Sequence, residues 1–328
     1  MVQTSAKTRV AVMGAGGVGS YFGGMLARAG VDVTLIGRPA HVEAIRSDGL
    51  FLDTVSFRGR VPIAASTDAG AAAGADFVLF CVKTTDTETA SRSVAPHLAP
   101  DAIVVSLQNG VDNAERIRAA SGIEALPAVV YIAVALPEPG HVRHFARGEL
   151  AIGEPRDGGR ASEAQSERCR RVADLFASAK VPCRISANIQ ADLWSKFVVN
   201  CAGNAVAAIA QTTYGAAARE PHTRGVIVRL IEETVAVARA LAVPLPDTDF
   251  VETGLKFLES MANVTSSTAH DIARGKRTEI DSLNGVVVER GAELGIPTPV
   301  NFTVHALVKL LESKNAGANS AAVGSPER

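Results

Sequence analysis

The sequence lacks the patterns that mark several large classes of protein. Its 33 lysines and arginines balance 34 aspartates and glutamates, and the formal net charge is -1. No basic run stands out, so nothing favours a nucleic-acid partner or an acidic membrane surface. The four cysteines show no Cys-x-x-Cys spacing, so neither a disulfide framework nor a zinc site is indicated. We therefore expect reduced thiols and no metal.

Long apolar runs are missing as well. The longest, Ala128 to Leu136, lies between two prolines and has the length of a strand, far below the roughly 20 residues of a transmembrane helix. The first residues, MVQTSAKTR, lack the apolar stretch of a signal peptide. We expect a cytoplasmic protein without a membrane partner. From Asn315 onward, small and polar residues that cannot build a core predict a disordered tail, 315–328.

What the sequence does contain is a glycine-rich turn in a βαβ setting. A short strand, 9–13, precedes the G-x-G-x-x-G turn, and a helical stretch, 20–29, and a second strand, 32–36, follow it. The residues of the turn are Gly14, Ala15, Gly16, Gly17, Val18 and Gly19. Gly14 permits the tight turn, Gly16 lets backbone approach a pyrophosphate, and Gly19 lets helix and strand pack closely. The pattern predicts a Rossmann-type dinucleotide-binding domain, with a glycine turn that binds nothing as the alternative.

The end of the second strand indicates which dinucleotide is bound. Cofactors with a free ribose hydroxyl usually meet Asp or Glu there, whereas this chain has Gly37 and Arg38. A guanidinium suits a 2′-phosphate, so we predict that NADP(H) is the cofactor. An incidental surface arginine is the alternative.

Two further strands end in polar residues. Residues 76–82 lead to Lys83, and residues 102–107 lead to Asn109. Ligands of open α/β sheets lie outside the carboxyl ends of the strands, so both side chains are candidates for the cofactor rim. A solvated strand end for Lys83 and a turn-forming role for Asn109 remain alternatives.

Beyond about residue 186 the pattern becomes helical, with expected helices at 188–210, 221–242, 247–262, 267–274, 278–294 and 300–313. We therefore expect an α/β fold, with a Rossmann domain over 1–186 and an all-helical domain over 187–314. The first helix carries a polar stripe at four-residue spacing, which includes Lys196, Asn200 and Asn204. A solvated face is the ordinary reading of such a stripe, but a helix at a domain junction typically borders a substrate cleft.

A second polar cluster follows in TSSTAHDIARGKRTEIDSLNG, which includes Ser267 and Glu279. Ser267 has the alternative of a helix cap, and Glu279 that of a surface ion-pair partner.

These motifs, in this order, resemble the ketopantoate reductase (2-dehydropantoate 2-reductase) family over roughly residues 9–311. The resemblance rests on the glycine turn, Cys-Val-Lys at 81–83, Gln-Asn-Gly at 108–110, Lys-x-x-x-Asn-x-x-x-Asn at 196–204, the serine pair and Arg-Thr-Glu at 277–279. It implies that Lys196 is the catalytic acid, that Glu279 organises the site, and that Asn200, Asn204 and Ser267 bind substrate. Asn109 and Lys83 would lie between substrate and cofactor.

The implied reaction is NADPH-dependent reduction of a 2-oxo acid, in which a positioned ammonium stabilises the developing negative charge and then gives up a proton. The chain departs from the family at Thr268-Ala269-His270, where Met-Leu-Gln is common. A paralogue that reduces another branched 2-oxo acid and a non-catalytic NADP(H) sensor are therefore alternatives. The 3-hydroxyacid dehydrogenases share the Lys-x-x-x-Asn, but not the second asparagine. A homodimer is compatible with the sequence, which leaves the assembly open.

Overall fold

A ten-stranded mixed sheet organises the first part of the chain. The structure is a computed structural model, and it describes residues 7–155 and 166–323, with side chains as far as residue 315. Within these residues the strands are β1 (Arg9–Met13), β2 (Asp32–Ile36), β3 (Leu50–Asp53), β4 (Arg58–Val61), β5 (Ala64–Ser66), β6 (Phe77–Phe80), β7 (Ile103–Ser106), β8 (Leu126–Glu138), β9 (His141–Ile152) and β10 (Cys183–Ile185).

The strand order is β4-β3-β9-β8-β7-β6-β1-β2-β5, and β10 pairs with β9. The run from β5 to β8 is parallel throughout, while β8 with β9 and β3 with β4 are antiparallel. The predicted α/β class with a Rossmann-type first domain is therefore confirmed.

Helices cover both faces of this sheet. They are α1 (Gly17–Arg28), α2 (Pro39–Asp48), α3 (Thr87–Val94), α4 (Asn113–Ser121) and α5 (Glu167–Ser178). Because side chains alternate along a strand, Val10 and Val12 of β1 belong to one core with Phe22 and Phe176, whereas Ala11 belongs to a second core with α3 and α4. Burial on both faces explains why the central strands are apolar at nearly every position.

The remainder of the described chain is helical, as predicted. The helices are α6 (Ile189–Ala210), α7 (Tyr214–Arg219), α8 (Pro221–Ala240), α9 (Phe250–Ser260), α10 (Ser267–Ala273), α11 (Asn284–Leu294) and α12 (Pro299–Val323). Their core joins α6, α8 and α9 through residues such as Val198, Ile231 and Leu258. The chain divides into two compact units, of which the first ends at Asp192 and the second begins at Leu193. This division lies six residues beyond the expected domain boundary.

Three expectations for individual elements differ from the structure. Helix α1 begins at Gly17 rather than Ser20. The stretch expected as one helix over 278–294 contains a short 3₁₀ turn, Ile280–Ser282, before α11. The helix expected over 300–313 continues as α12 to Val323, and so includes the first residues of the tail for which disorder is expected. Alanine favours helix, and the Asn315 side chain donates to the carbonyl of Ile272 at 2.9 Å. The rest of that tail lies outside the described residues.

Helix α6 is the one described helix that is long and apolar enough to cross a bilayer by composition. However, 67% of its most apolar window is buried inside the protein, as is usual for the core helix of a globular domain.

Candidate active site

The carboxyl ends of four neighbouring strands meet at one edge of the sheet. Met13 pairs with Ile36 on one side and with Phe80 on the other, and Phe80 pairs with Ser106. The glycine turn, Arg38, Lys83 and Asn109 follow these ends within three residues. The structure thus brings the predicted cofactor-side residues to one rim.

The glycine turn is tight for identifiable reasons. Gly14 has a φ of +105°, and an added Cβ would lie 2.5 Å from the amide nitrogen of Val82. The amides of Gly14 and Ala15 donate to the carbonyl of Ile36 at 3.0 and 2.9 Å. At Gly19 an added Cβ would overlap the carbonyl oxygen of Gly14. A side chain at Gly14 would therefore displace the turn from the end of β6, and a side chain at Gly19 would push α1 away from the turn and from β1.

The turn has room for a phosphate group. Gly16 is the N-cap of α1, no side chain caps this helix, and its first turn holds no acidic residue. An added Cβ at Gly16 would meet no atom within 4 Å. The first amides of α1 thus lie uncapped at the positive end of the helix dipole, next to free space at Gly16, which fits a dinucleotide pyrophosphate.

Arg38 stands at the N-cap of α2, directly after β2. Its side chain is exposed, and it forms no hydrogen bond or ion pair with the residues that the structure describes. A guanidinium without an internal partner at this strand end fits the 2′-phosphate of NADP(H).

A buried polar network holds the loops of Lys83 and Asn109. The Gln108 amide donates to the carbonyl of Val82 at 3.1 Å and to the Thr87 hydroxyl at 2.8 Å, and it accepts from the Ser106 hydroxyl at 3.0 Å. The Asn113 side chain donates to the carbonyl of Asn109 at 2.6 Å. Sequence reasoning missed this network, although a glutamine between an apolar strand and a turn is a signal for one.

Arg116 fastens the same region from α4. Its guanidinium donates to the carbonyl of Thr84 at 2.7 Å and to the Glu88 carboxylate at 2.7 and 3.1 Å. The hydrogen bond from Arg116 lowers the pKa of Glu88, so this pair stays charged at neutral pH. Nothing in the local sequence around Arg116 indicates this contact, because its partners lie about 30 residues earlier.

The polar stripe of α6 has two parts. At its start, Asn188 caps the helix by accepting from the Ala191 amide at 3.2 Å. Asp192 pairs with Arg184 at 2.8 Å and accepts from the Ser186 hydroxyl. These side chains stabilise the start of the helix.

The later stripe residues are different. Lys196 and Asn200 are half-buried and Asn204 is buried, with 4% of its surface exposed. The solvated-face alternative is therefore wrong. The Asn200 side chain has no hydrogen-bond partner among the described residues. The donors and the acceptor of this amide are thus not used by the described chain.

The serine pair lies against the same helix. The buried Ser266 caps α10 by accepting from the Ala269 amide at 3.0 Å, and its hydroxyl donates to the carbonyl of Asn204 at 3.2 Å. The capping alternative therefore applies to Ser266 and not to Ser267. The hydroxyl of Ser267 is exposed and has no partner within the described chain. His270 shares this exposed face of α10, three residues later.

Glu279 lies in a segment that is clamped to α12. The Glu312 carboxylate accepts from the amide of Thr278 at 2.7 Å and from its hydroxyl at 2.6 Å. Asp281 accepts from His305 and Lys309, both at 2.8 Å. Burial opposes ionisation of Asp281, but these hydrogen bonds outweigh it and lower its pKa. Sequence reasoning missed the partners on α12.

The same segment is joined to α6. The side chain of Asn284 donates to the carbonyl of Cys201 at 3.0 Å and to the side chain of Asn301 at 2.9 Å. Asn301 in turn donates to Glu233 on α8. The structure thus links the segments that carry Asn200, Asn204, Ser267 and Glu279 within the second unit.

The fold and the site define a class of protein. A Rossmann-type unit that fits a dinucleotide is followed by a helical unit with a half-buried lysine and amides, and this combination is that of a nicotinamide-dependent oxidoreductase. Comparison with known proteins narrows this class. Residues 10–157 match the family model for ketopantoate reductase PanE/ApbA, and residues 188–312 match the model for its C-terminal domain. The chain belongs to the ketopantoate reductase family, and it is an NADP-dependent oxidoreductase that acts on a CH–OH group.

Individual relatives support the same family assignment. A 2-dehydropantoate 2-reductase of Halobacterium salinarum is 35% identical, and the match covers 93% of this chain and 99% of that protein. The crystal structure of a PanE/ApbA family ketopantoate reductase from Ralstonia eutropha is 49% identical, with a TM-score of 0.86 over 94% of this chain and 100% of the other. A D-mandelate dehydrogenase bound to NADH and anilino(oxo)acetate shares the fold at 22% identity, with a TM-score of 0.84 over 94% of this chain and 100% of that one.

Proposed function

We propose that this chain reduces 2-dehydropantoate (ketopantoate) to pantoate with NADPH, and that Lys196 is the general acid. The observation that carries the proposal is the stripe of Lys196, Asn200 and Asn204 on a helix that is otherwise core. The Asn200 side chain and the side-chain nitrogen of Asn204 have donors that no described residue uses, and such polar groups at half-buried and buried positions are retained where a polar ligand binds. The names of the relatives supply the candidate substrate.

The proposed cofactor site is the rim of the sheet. The amides of Gly17 and Val18, in the first turn of α1, hold the pyrophosphate and Arg38 holds the 2′-phosphate, while Lys83 and Asn109 lie on the nicotinamide side. When bound, NADPH supplies the hydride that reduces the oxo carbon.

The proposed substrate groups belong to the second unit. The Lys196 ammonium donates to the oxo oxygen, stabilises the charge that develops there, and leaves its proton on the new hydroxyl. Asn200, Asn204 and Ser267 offer neutral donors to the substrate's carboxylate and hydroxyl. An asparagine amide carries no charge, so it can hold the substrate's carboxylate while the ammonium group of Lys196 keeps its positive charge. Glu279, in its clamped segment, organises these groups.

Two alternatives differ in substrate and in turnover. A paralogue that reduces another branched 2-oxo acid is supported by the exposed His270 on the face of Ser267, at a position where the family often has glutamine. A non-catalytic NADP(H) sensor needs no lysine in the stripe. A purely structural role leaves Asn200 without a reason to be half-buried.

The test is NADPH oxidation with ketopantoate and a panel of branched 2-oxo acids. We expect efficient turnover of ketopantoate. Turnover of another oxo acid alone would assign a paralogue, and no turnover with any oxo acid, while NADPH still binds, would assign the sensor.

The matched variants are Lys196→Ala and Lys256→Ala. We expect the first to lose turnover by at least about 100-fold, the usual contribution of a positioned acid, and to keep its NADPH affinity. Lys256 is exposed on α9 and pairs only with Glu252 among the described residues, so its removal should leave turnover unchanged. Full activity of Lys196→Ala would rule out this lysine as the acid.

A further inference from the structure

The amide of Asn204 is held in one orientation. Its side-chain oxygen accepts a hydrogen bond from the Tyr214 hydroxyl at 2.7 Å, and its backbone carbonyl accepts from the Ser266 hydroxyl at 3.2 Å. The side-chain nitrogen has no acceptor among the described residues, and it is not sealed from solvent. The oxygen of this amide is thus engaged inside the protein, while its two N–H donors are available.

Tyr214 is itself fixed in place. Its amide donates to the carbonyl of Val264 at 2.9 Å, and Thr213 forms an antiparallel bridge with Thr265. The ring packs on Gly203, where an added Cβ would lie 3.0 Å from two ring carbons. Burial raises the pKa of the Tyr214 hydroxyl, so it stays a neutral donor throughout the working pH range.

An asparagine amide offers an acceptor on one side and donors on the other, and the two ends exchange when the group rotates by a half turn. A donor that occupies the oxygen selects one of the two orientations. We propose that Tyr214 is a positioning residue, which orients Asn204 so that it presents N–H groups, and not its oxygen, to the carboxylate of a 2-oxo acid.

This inference rests on the proposed function, because it takes the ligand of Asn204 to be the substrate. It adds the chemical identity of the facing group, which must be a hydrogen-bond acceptor. The neutral hydroxyl of Ser267, beside the capping Ser266 that donates to Asn204, is a second donor of the same kind. Two neutral donors can hold the carboxylate without cancelling its negative charge, which therefore still attracts the ammonium group of Lys196.

The first test is Tyr214→Phe, which removes the hydroxyl and keeps the ring. We expect KM for the oxo acid to rise about 3- to 10-fold, the usual range for one lost hydrogen bond, with kcat and the Kd for NADPH nearly unchanged. Tyr21→Phe is the matched control, because Tyr21 is a buried tyrosine of the first unit that packs on Phe22 and His144. It should leave KM unchanged.

The second test is a double-mutant cycle. If Tyr214 acts through Asn204, then Asn204→Ala raises KM, and Tyr214→Phe adds nothing further in that background. Independent, additive effects of the two changes would overturn the inference. So would an unchanged KM in Tyr214→Phe when Asn204→Ala raises it.

The third test concerns the donor itself and does not need the tyrosine variant to fold. Asn204→Asp keeps an acceptor for Tyr214 but offers the substrate only carboxylate oxygens, so KM should rise more than in Asn204→Ala. An Asp variant with the wild-type KM would show that Asn204 accepts rather than donates. If instead Asn204→Ala leaves KM unchanged for every oxo acid that is turned over, the proposed role of Asn204 fails, whatever the tyrosine does.

Discussion

Gln108 donates a 3.1 Å hydrogen bond to the backbone carbonyl of Val82, the residue that precedes Lys83. One buried side chain thereby joins the ends of β6 and β7, and it fixes the loop of the cofactor-side lysine to the loop that carries Asn109. Gln108, Thr87 and Ser106 are buried, so water cannot replace the hydrogen bonds between these three side chains without local opening.

Gln108→Leu should therefore cost both stability and cofactor affinity. The change removes the donor to the Val82 carbonyl and the acceptor of the Ser106 hydroxyl, and it leaves the Thr87 hydroxyl only its 3.4 Å hydrogen bond to Asn113. Each unsatisfied buried group costs about 1–3 kcal/mol, so we expect the free energy of unfolding in urea to fall by at least that amount. The Kd for NADPH should rise. Gln211→Leu is the control, because Gln211 is exposed and donates only to the carbonyl of Ala208. Equal effects of the two variants would contradict the network.

Arg38→Ala should weaken the binding of NADPH much more than the binding of NADH. A charged hydrogen-bond partner contributes about 1.5–3 kcal/mol, so we expect the Kd for NADPH to rise about 10- to 100-fold and the Kd for NADH to change little. Fluorescence titration with both cofactors measures this difference. The exposed Arg239 of α8 supplies the matched variant, Arg239→Ala. Equal weakening of NADPH and NADH by Arg38→Ala would rule out the phosphate role.

We expect protonation of His41 to make the folded protein less stable in mild acid when no ligand is bound. Its Nδ1 accepts from the Gly140 amide at 2.9 Å, and its Nε2 lies 3.0 Å from the Ser20 hydroxyl, so the neutral ring is the form that fits. Burial lowers its pKa from 6.5. Below about pH 6.5 the unfolded chain takes up a proton that the folded chain resists, and stability is lost as the pH falls towards the folded pKa.

The effect can be measured by urea unfolding between pH 5 and pH 8. The contribution of His41 is at most about 1.4 kcal/mol per pH unit. We expect His41→Gln to flatten the acid side of the profile, whereas His222→Gln, at an exposed position of α8, should keep it. A profile that His41→Gln leaves unaltered would mean that other groups cause the loss.

Glu312→Ala should reduce turnover from a distance. It removes the acceptor of the Thr278 amide and hydroxyl and the ion pair with Lys309 at 3.0 Å, and so it frees the segment of Glu279. We expect kcat to fall about 10-fold with the Kd for NADPH unchanged, and Glu312→Gln to restore part of it because the amide oxygen still accepts. Glu293→Ala, which removes an exposed pair with Arg290, should be silent. An unchanged kcat in Glu312→Ala would show that the hydrogen bonds between Thr278 and Glu312 do not affect catalysis.

Periodicity and motifs were enough to predict the elements whose structure follows from their own local sequence. The bounds of β1 and β2 agree with the sequence-based prediction, because two apolar runs flank a glycine turn that only a βαβ unit explains. The helical second half followed from long periodic stretches broken by prolines. The short strands β3, β4 and β5 were not predicted, because three or four residues carry too little pattern and form only when a neighbouring strand supplies hydrogen bonds.

The candidate site shows the same division. The four-residue spacing was sufficient to predict that Lys196, Asn200 and Asn204 share one face of a helix. Tertiary structure decided that Asn188 and Asp192 of the same stripe stabilise the helix start, that Ser266 rather than Ser267 is the cap, and that Tyr214 orients Asn204. Each of these outcomes depends on which partner reaches a polar atom, and in a folded chain that partner can come from residues far away in sequence.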